Sequence, residues 1–336
     1  MLRSQFNCGV SDLMSIDLDQ SPHSATSAQV GGDWLGWLVI KTERRVMAEV
    51  NGIENVSALS KNGSASIAQT RSREGERFGF PLASSASVEF GFKFTAGGPH
   101  ISRTLMLKEL LSVLDLVPFG SANSIYREAV LERNILGKAT DSTRHKSLRH
   151  LRELYSLDES TPIFHALRKL HTFDATSLPL LAVQVAWARD PLLRATTQPV
   201  LETSDGERVE TGSLADALEM TYPNQYSLLN RNKIARNASS SWTQSGHLRG
   251  RAVKIRQPIQ PTAVSVAMAL LLGDTAGYHG TEVFSNPWCR LLDLSSERAK
   301  TFGFEAHRAG LINLRSLGEI VELCFPLLAD CRETIL

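Results

Sequence analysis

The run Thr262–Leu272 constrains the fold more than any other stretch, because its eleven residues are apolar nearly all the way round a helix. Such a helix is stable in water only when other elements surround it. Eleven residues also fall well short of the roughly 20 needed to span a bilayer. The other long apolar run, Trp34–Ile40, is shorter still. The run therefore predicts a buried central helix, and most of what surrounds it should be helical too.

That expectation agrees with the periodicity of the chain after residue 90. A chain of 336 residues outgrows one small core, so two or three domains are expected. Residues 1–89 contain 14 serines and no long periodic segment, and read as a poorly ordered arm in which Met47 offers an alternative start. Phe90, Phe92 and Phe94 alternate with Gly91 and Lys93, the period of a short strand. A helix follows over 100–116, with Leu107, Leu110, Leu111 and Leu114 on one stripe. A second runs from Ser124 to Leu136 with Gly137 at its C-terminal cap, and a third from Asp141 or Ser142 to Tyr155. Leu148, Leu151 and Tyr155 face inward on this third helix, and Ser142, Lys146, Arg149, His150 and Glu153 face out. Two helices and a short turn, the second with a basic outer face, are the arrangement of a helix-turn-helix, whose second helix lies in the DNA major groove.

Residues 159–212 read as a helical middle punctuated by Pro162, Pro179 and Pro191, ending in the acidic loop 202–212. The pattern then restarts: helices over 214–220 and 226–237, a third over 240–250, and a strand in which Val253 and Ile255 point inward while Lys254 and Arg256 point out. Helix, helix and basic strand describe a winged helix. Trp242 is expected as a core anchor rather than a base-stacking ring. After the buried helix come a helix over 295–309 and a hairpin, Leu311–Leu314 and Glu319–Phe325, turning at Arg315–Gly318. The fold class is thus mainly α, with two helix-turn-helix or winged-helix-like units, 90–158 and 213–336, joined by the middle and carrying small β-hairpins.

Charge supplies the functional signal. Met220–Gly273 contains no Asp or Glu, where about five or six would be expected at the chain's average frequency. It does contain Arg231, Lys233, Arg236, Arg249, Arg251, Lys254 and Arg256. A basic surface swept of carboxylates is the footprint expected opposite a phosphate backbone. Net charge is only +1, so any such surface must be a local patch. With the helix over 141–155, the expected DNA-binding residues are Ser142, Arg144, Lys146, Arg149, Arg231, Lys233, Arg236, Arg249, Arg251, Lys254 and Arg256, with Gln244 and His247 as further base readers.

Signals for catalysis are weak. The chain has no GxxxxGK[ST], HExxH or GxSxG motif, and Asp190, Glu202, Asp205 and Glu207 sit in a loop-like stretch without the strand context of a metal-dependent nuclease. His165 and His171 are six apart and do not share a helical face as metal ligands would. The four cysteines form no CxxC pair, which points to no zinc site or disulfide framework and to a reducing cytoplasm. No cofactor and no metal are expected, and neither is a secretory leader.

Three segments carry a family resemblance: Thr95-Ala96-Gly97-Gly98, Val130–Lys138 followed by Ser142-Thr143, and Trp187–Arg194. Together they resemble the BrxA family of bacteriophage-exclusion (BREX) defence islands, and Ser227–Gly250 is similar to that family's second helix-turn-helix stretch. The resemblance covers 90–256, leaving out the Ser-rich arm and the segment after Arg256. It implies an all-α, non-enzymatic, DNA-binding accessory protein in which Ser142, Arg144, Lys146 and Arg149 belong to the DNA-facing helix. The rival expectations are a scaffold whose basic face docks an acidic partner, and an enzyme with a dispersed site.

Overall fold

The computed structural model describes residues 80–328, apart from 82 and 319. Most of the expected Ser-rich arm, with Trp34–Ile40 and Met47, lies outside the described residues. In chain order the α-helices are α1 (Ser85–Phe90), α2 (Leu107–Leu116), α3 (Asn123–Leu131), α4 (Asp141–Tyr155), α5 (Pro162–Phe173), α6 (Leu178–Arg189), α7 (Pro191–Ala195), α8 (Thr197–Leu201), α9 (Thr211–Thr221) and α10 (Leu228–Gln244). A hairpin of β1 (Leu248–Arg249) and β2 (Ile255–Arg256) follows, then α11 (Ala263–Thr275), α12 (Pro287–Leu291), α13 (Ser296–Arg308) and a second hairpin of β3 (Asn313–Leu317) and β4 (Ile320–Cys324). The fold is mainly α with two small antiparallel hairpins. No described helix is long and apolar enough to cross a membrane.

The apolar run forms α11, buried from Val264 to Gly273 and packed against α5, α6, α12 and α13. Thr262 caps it in a reciprocal pair with Ser265. Gly273 allows a close approach: a Cβ there would lie 2.3 Å from Nδ2 of Asn286. That amide donates to the Ala269 and Val283 carbonyls and ties α12 to α11. The second helix with no polar face is α6, where every residue but Pro179 is buried. Trp187 on α6 meets Trp288 on α12 edge-on at 5.2 Å, and Phe80 and Phe92 complete the cluster at 5.1 Å from Trp187 and 5.4 Å from Trp288.

That cluster explains two departures from expectation. Phe80, read as part of the arm, is buried in the core. Phe90–Phe94 is not a strand: α1, capped by Ser84, ends at Phe90, and Gly91 (φ 113°) turns the chain so that all three rings reach the aromatic cluster. The expected helix over 100–116 is also divided. A 3₁₀ turn at Pro99–Ile101 carries His100 inward, and α2 begins only at Leu107.

Helix α3 stops at Leu131, and Gly137 lies beyond it in a connection, 132–140, that Asn134 shapes by bonding both the N–H and the C=O of Lys138. Helix α4 has the expected span, with Thr140 rather than Asp141 or Ser142 as its cap. Its inner residues include Leu148, Leu151 and Tyr155 as read, and also His150, which was expected outside. The helices expected over 226–237 and 240–250 are one continuous helix, α10. Within it the hydroxyls of Ser241 and Thr243 donate to the carbonyls of Asn237 and Ser239, one turn back, instead of starting a new cap. Gly246 (φ 90°) lies in the turn after α10. In the last hairpin, Arg315 and Leu317 are part of β3 rather than of the turn.

Candidate nucleic-acid interface

Helices α9 and α10 are joined by the turn 222–227, where buried Tyr222 meets Tyr226 edge-on. The buried face of α10 is Ile234, Ala235, Ala238, Ser239, Ser241 and Trp242. Trp242 is fully buried and donates its indole N–H to Thr196 at 2.9 Å, the core anchor expected. The outer stripe carries Leu229, Lys233 and Arg236, all exposed, at i, i+4 and i+7. The hairpin packs at the end of this stripe, with Lys254 Nζ donating to Thr243 Oγ1 at 2.9 Å. The segment before α9 meets the hairpin through an isolated bridge. Arg208 bridges Ile255 antiparallel, Val209 N–H donates to Lys254 O, and Arg256 N–H donates to Glu207 O. The element order is therefore helix, turn, helix and hairpin, with the extended segment before the first helix bridged to the second arm of the hairpin. Arg249 and Arg251 are exposed at the hairpin tip, beside Gly250 (φ 99°).

Four expected DNA-binding residues of α10 and the hairpin region are engaged within the protein. Arg256 is 2% exposed, and its guanidinium pairs with Asp293 at 2.5 Å. Val253, expected inside, is 47% exposed. The alternation fails because only Ile255 and Arg256 of that stretch are strand, so Val253 falls in the turning tip. His247 is fully buried, with Nε2 2.8 Å from Leu291 O and Nδ1 2.9 Å from Ser245 Oγ. Burial drives its pKa down to about 4, so it is a neutral core group and reads no base. Gln244 accepts from the Leu107 N–H and so caps α2, which has no cap of its own. Arg231 pairs with Glu219 of α9 at 2.6 Å.

On α4, Ser142, Lys146 and Arg149 are exposed as expected. Arg144 instead donates to Leu131 O at 2.6 Å and closes the end of α3. Beside Arg149 the structure brings together Lys93, Arg127, His145 and Arg152, which sequence reasoning did not single out for binding. His145, Arg149 and Arg152 fall at i, i+4 and i+7, a spacing that would have revealed them.

A second constellation is buried. His100 Nδ1 lies 2.6 Å from Asp190 Oδ2, and His100 Nε2 lies 2.7 Å from Ser241 Oγ. This is the order of a Ser-His-Asp relay. All three residues are nevertheless fully buried, and Ser241 Oγ already accepts the Leu105 N–H at 2.8 Å. The arrangement is a tie between segments. Asp190 also caps α7, accepting from Leu192 and Leu193. Gly98 is required beside it, since a Cβ there would lie 2.1 Å from Asp190 Oδ1. Gly98 and Asp190, from two of the segments that carry the family resemblance, thus meet in the core.

Among the described residues no group of His, Cys, Asp and Glu is placed to hold a metal ion. Burial pushes the Cys289 thiol up to about 12, so it is an inert core thiol. No protein-family model matches this chain, and no curated protein sequence matches it.

Proposed function

We propose that the protein binds double-stranded DNA through a winged helix formed by 206–256, with α10 in the major groove and the hairpin tip on the phosphate backbone. The observation that carries this reading is the exposure of Lys233, Arg236, Arg249 and Arg251 along α10 and the hairpin, within the stretch Met220–Gly273 that contains no Asp or Glu. In such units the recognition helix presents its N-terminal residues to base edges. Here those are Leu229, Asn230 and Lys233. An Asn can pair with adenine, and an apolar side chain can meet a thymine methyl. Ser142, Lys146 and Arg149 of α4 supply a second set of contacts. The BrxA-like segments favour a non-enzymatic accessory role in cytoplasmic phage defence. The test is fluorescence anisotropy with a random duplex at about 50 and about 200 mM salt. Six or more phosphate contacts lower affinity roughly a thousandfold or more between these conditions. An absence of binding at low salt refutes the proposal.

One observation favours a scaffold instead. Met220, Leu228 and Leu229 are 53%, 64% and 76% exposed at the corner between α9 and α10. A protein partner seated on this corner would survive nuclease treatment in a pull-down, whereas DNA-bridged proteins would be lost.

A further inference from the structure

We infer that the cleft between α3, α4 and the segment around Lys93 is a binding site for the phosphate groups of a nucleotide-sized ligand or of a nucleic-acid strand. The cleft has a volume of about 440 Å³, and the ionisable side chains lining it are Lys93, Arg127, His145, Arg149, Arg152 and Glu153. Ligand sites of this kind are typically about 300–1,000 Å³. Five of its six ionisable groups are bases; the one acid of the lining, Glu153, lies 3.8 Å from Arg149 and 3.2 Å from His150, while exposed Glu132 and Asp141 at the rim lie 4.0 Å from Arg127 and 3.4 Å from His145.

The charge under the cleft adds to this. Arg189 is 6% exposed and is held only by carbonyls, donating to Gly91, Arg152 and Glu153. No carboxylate among the described residues pairs with it. Lys93 also donates to Glu153 O. Burial, followed by the charge of Arg189, lowers the pKa of Lys93, and the nearby carboxylates of Glu153 and Asp190 oppose that shift. Arg152 donates to Asn123 Oδ1, while its Nε is buried without a hydrogen-bond partner. The carbonyls at the end of α4 orient Lys93 and Arg189 but carry only partial charge. A phosphate supplies full charge and several acceptor oxygens, and guanidinium groups match it in pairs.

Of the cleft residues only Arg149 is shared with the proposed DNA surface, and the cleft site does not require the winged-helix reading. The test uses the full chain and the double variant Arg127→Ala/Arg149→Ala. Both side chains are more than half exposed, so the fold should be kept, which thermal melting checks. Calorimetric titration with inorganic pyrophosphate and with ATP should show binding that weakens tenfold or more in the double variant. Anisotropy with a DNA duplex forms the second arm. If pyrophosphate and ATP do not bind but the double variant lowers DNA affinity and the slope of its salt dependence, the site holds backbone phosphates of a strand, which supports the inference for that source. If the variant changes neither arm, the inference is overturned. Variants confined to the hairpin tip should leave pyrophosphate binding intact, which separates failure of the cleft from failure of the winged-helix reading.

Discussion

The hairpin tip offers the sharpest test of the DNA reading, because three bases there can be removed with little structural cost. Arg249 and Arg251 are exposed, and half-buried Lys254 makes two side-chain hydrogen bonds, to Thr243 Oγ1 and Gly250 O at 2.9 and 2.7 Å. The loss of those two bonds should cost about 1 kcal/mol of stability. If all three bases contact phosphates, Arg249→Ala/Arg251→Ala/Lys254→Ala removes three counterion-releasing contacts. The slope of log affinity against log salt should then flatten by about 2.7, at roughly 0.9 per contact. Between about 50 and 200 mM salt, the wild-type protein should lose about 40-fold more affinity than the variant does. Anisotropy with two duplexes of unrelated sequence should show equal weakening on both, since phosphate contacts carry no sequence information. Unchanged slope in a folded variant would mean that the tip does not touch DNA.

Arg256→Ala should behave in the opposite way. Stranding Asp293, which is 26% exposed, should lower stability by about 3 kcal/mol in urea unfolding while the salt slope of the folded protein is unchanged; a shifted slope would contradict its inward placement. His247 predicts acid sensitivity. Its folded pKa of about 4 lies below the usual value of about 6.5, so as pH falls below 6.5 the unfolded chain takes up a proton that the folded chain refuses. About 2 kcal/mol should be lost between pH 7 and pH 5, and His247→Gln should lose less over the same range; equal losses in the two proteins would remove His247 as the cause. Gly98→Ala, which drives a methyl group into the Asp190 carboxylate, should destabilise by about 3 kcal/mol or more, visible as a lowered melting temperature. Arg144→Ala should lower stability through the exposed end of α3, by about 1–3 kcal/mol, more than it lowers DNA affinity.

What could be read from residue patterns was local. Helix α4 carries its apolar stripe and its flanking cap candidates within 15 residues, α11 declares its burial by having no polar face, and Ser295 announces α13. The errors arose where a distant partner decided the outcome. Arg256 looked like a solvent-facing base because Asp293, 37 residues on, gives no sign of being its partner. The Ser-rich stretch after Asn237 resembled a helix end, since serine favours caps. In the structure, buried small side chains at Ser239 and Ser241 let α10 pack closely and continue. Periodicity places His100 in a helix because nothing near it in sequence reveals Asp190. The acid-free stretch marked the right helix and hairpin for study, but exposure separated Lys233, Arg236, Arg249 and Arg251 from the internally engaged bases, and exposure needs coordinates.

The tie between His100, Asp190 and Ser241 also has a consequence for synthesis. His100 and Ser241 are 141 residues apart, and the contacts of Leu105 and Asn237 across the same junction span 136 and 137. At about 5–20 residues per second, the ribosome adds the second half of this junction roughly 7–28 s after the first. During that interval the segment 98–106 lacks the Ser241 hydroxyl that pairs with His100 and accepts the Leu105 N–H, and the start of α2 lacks Gln244. A nascent chain that stops near residue 200 should therefore be a substrate for chaperones and proteases, and the basic face of α4 should become fully supported only when α10 has left the exit tunnel.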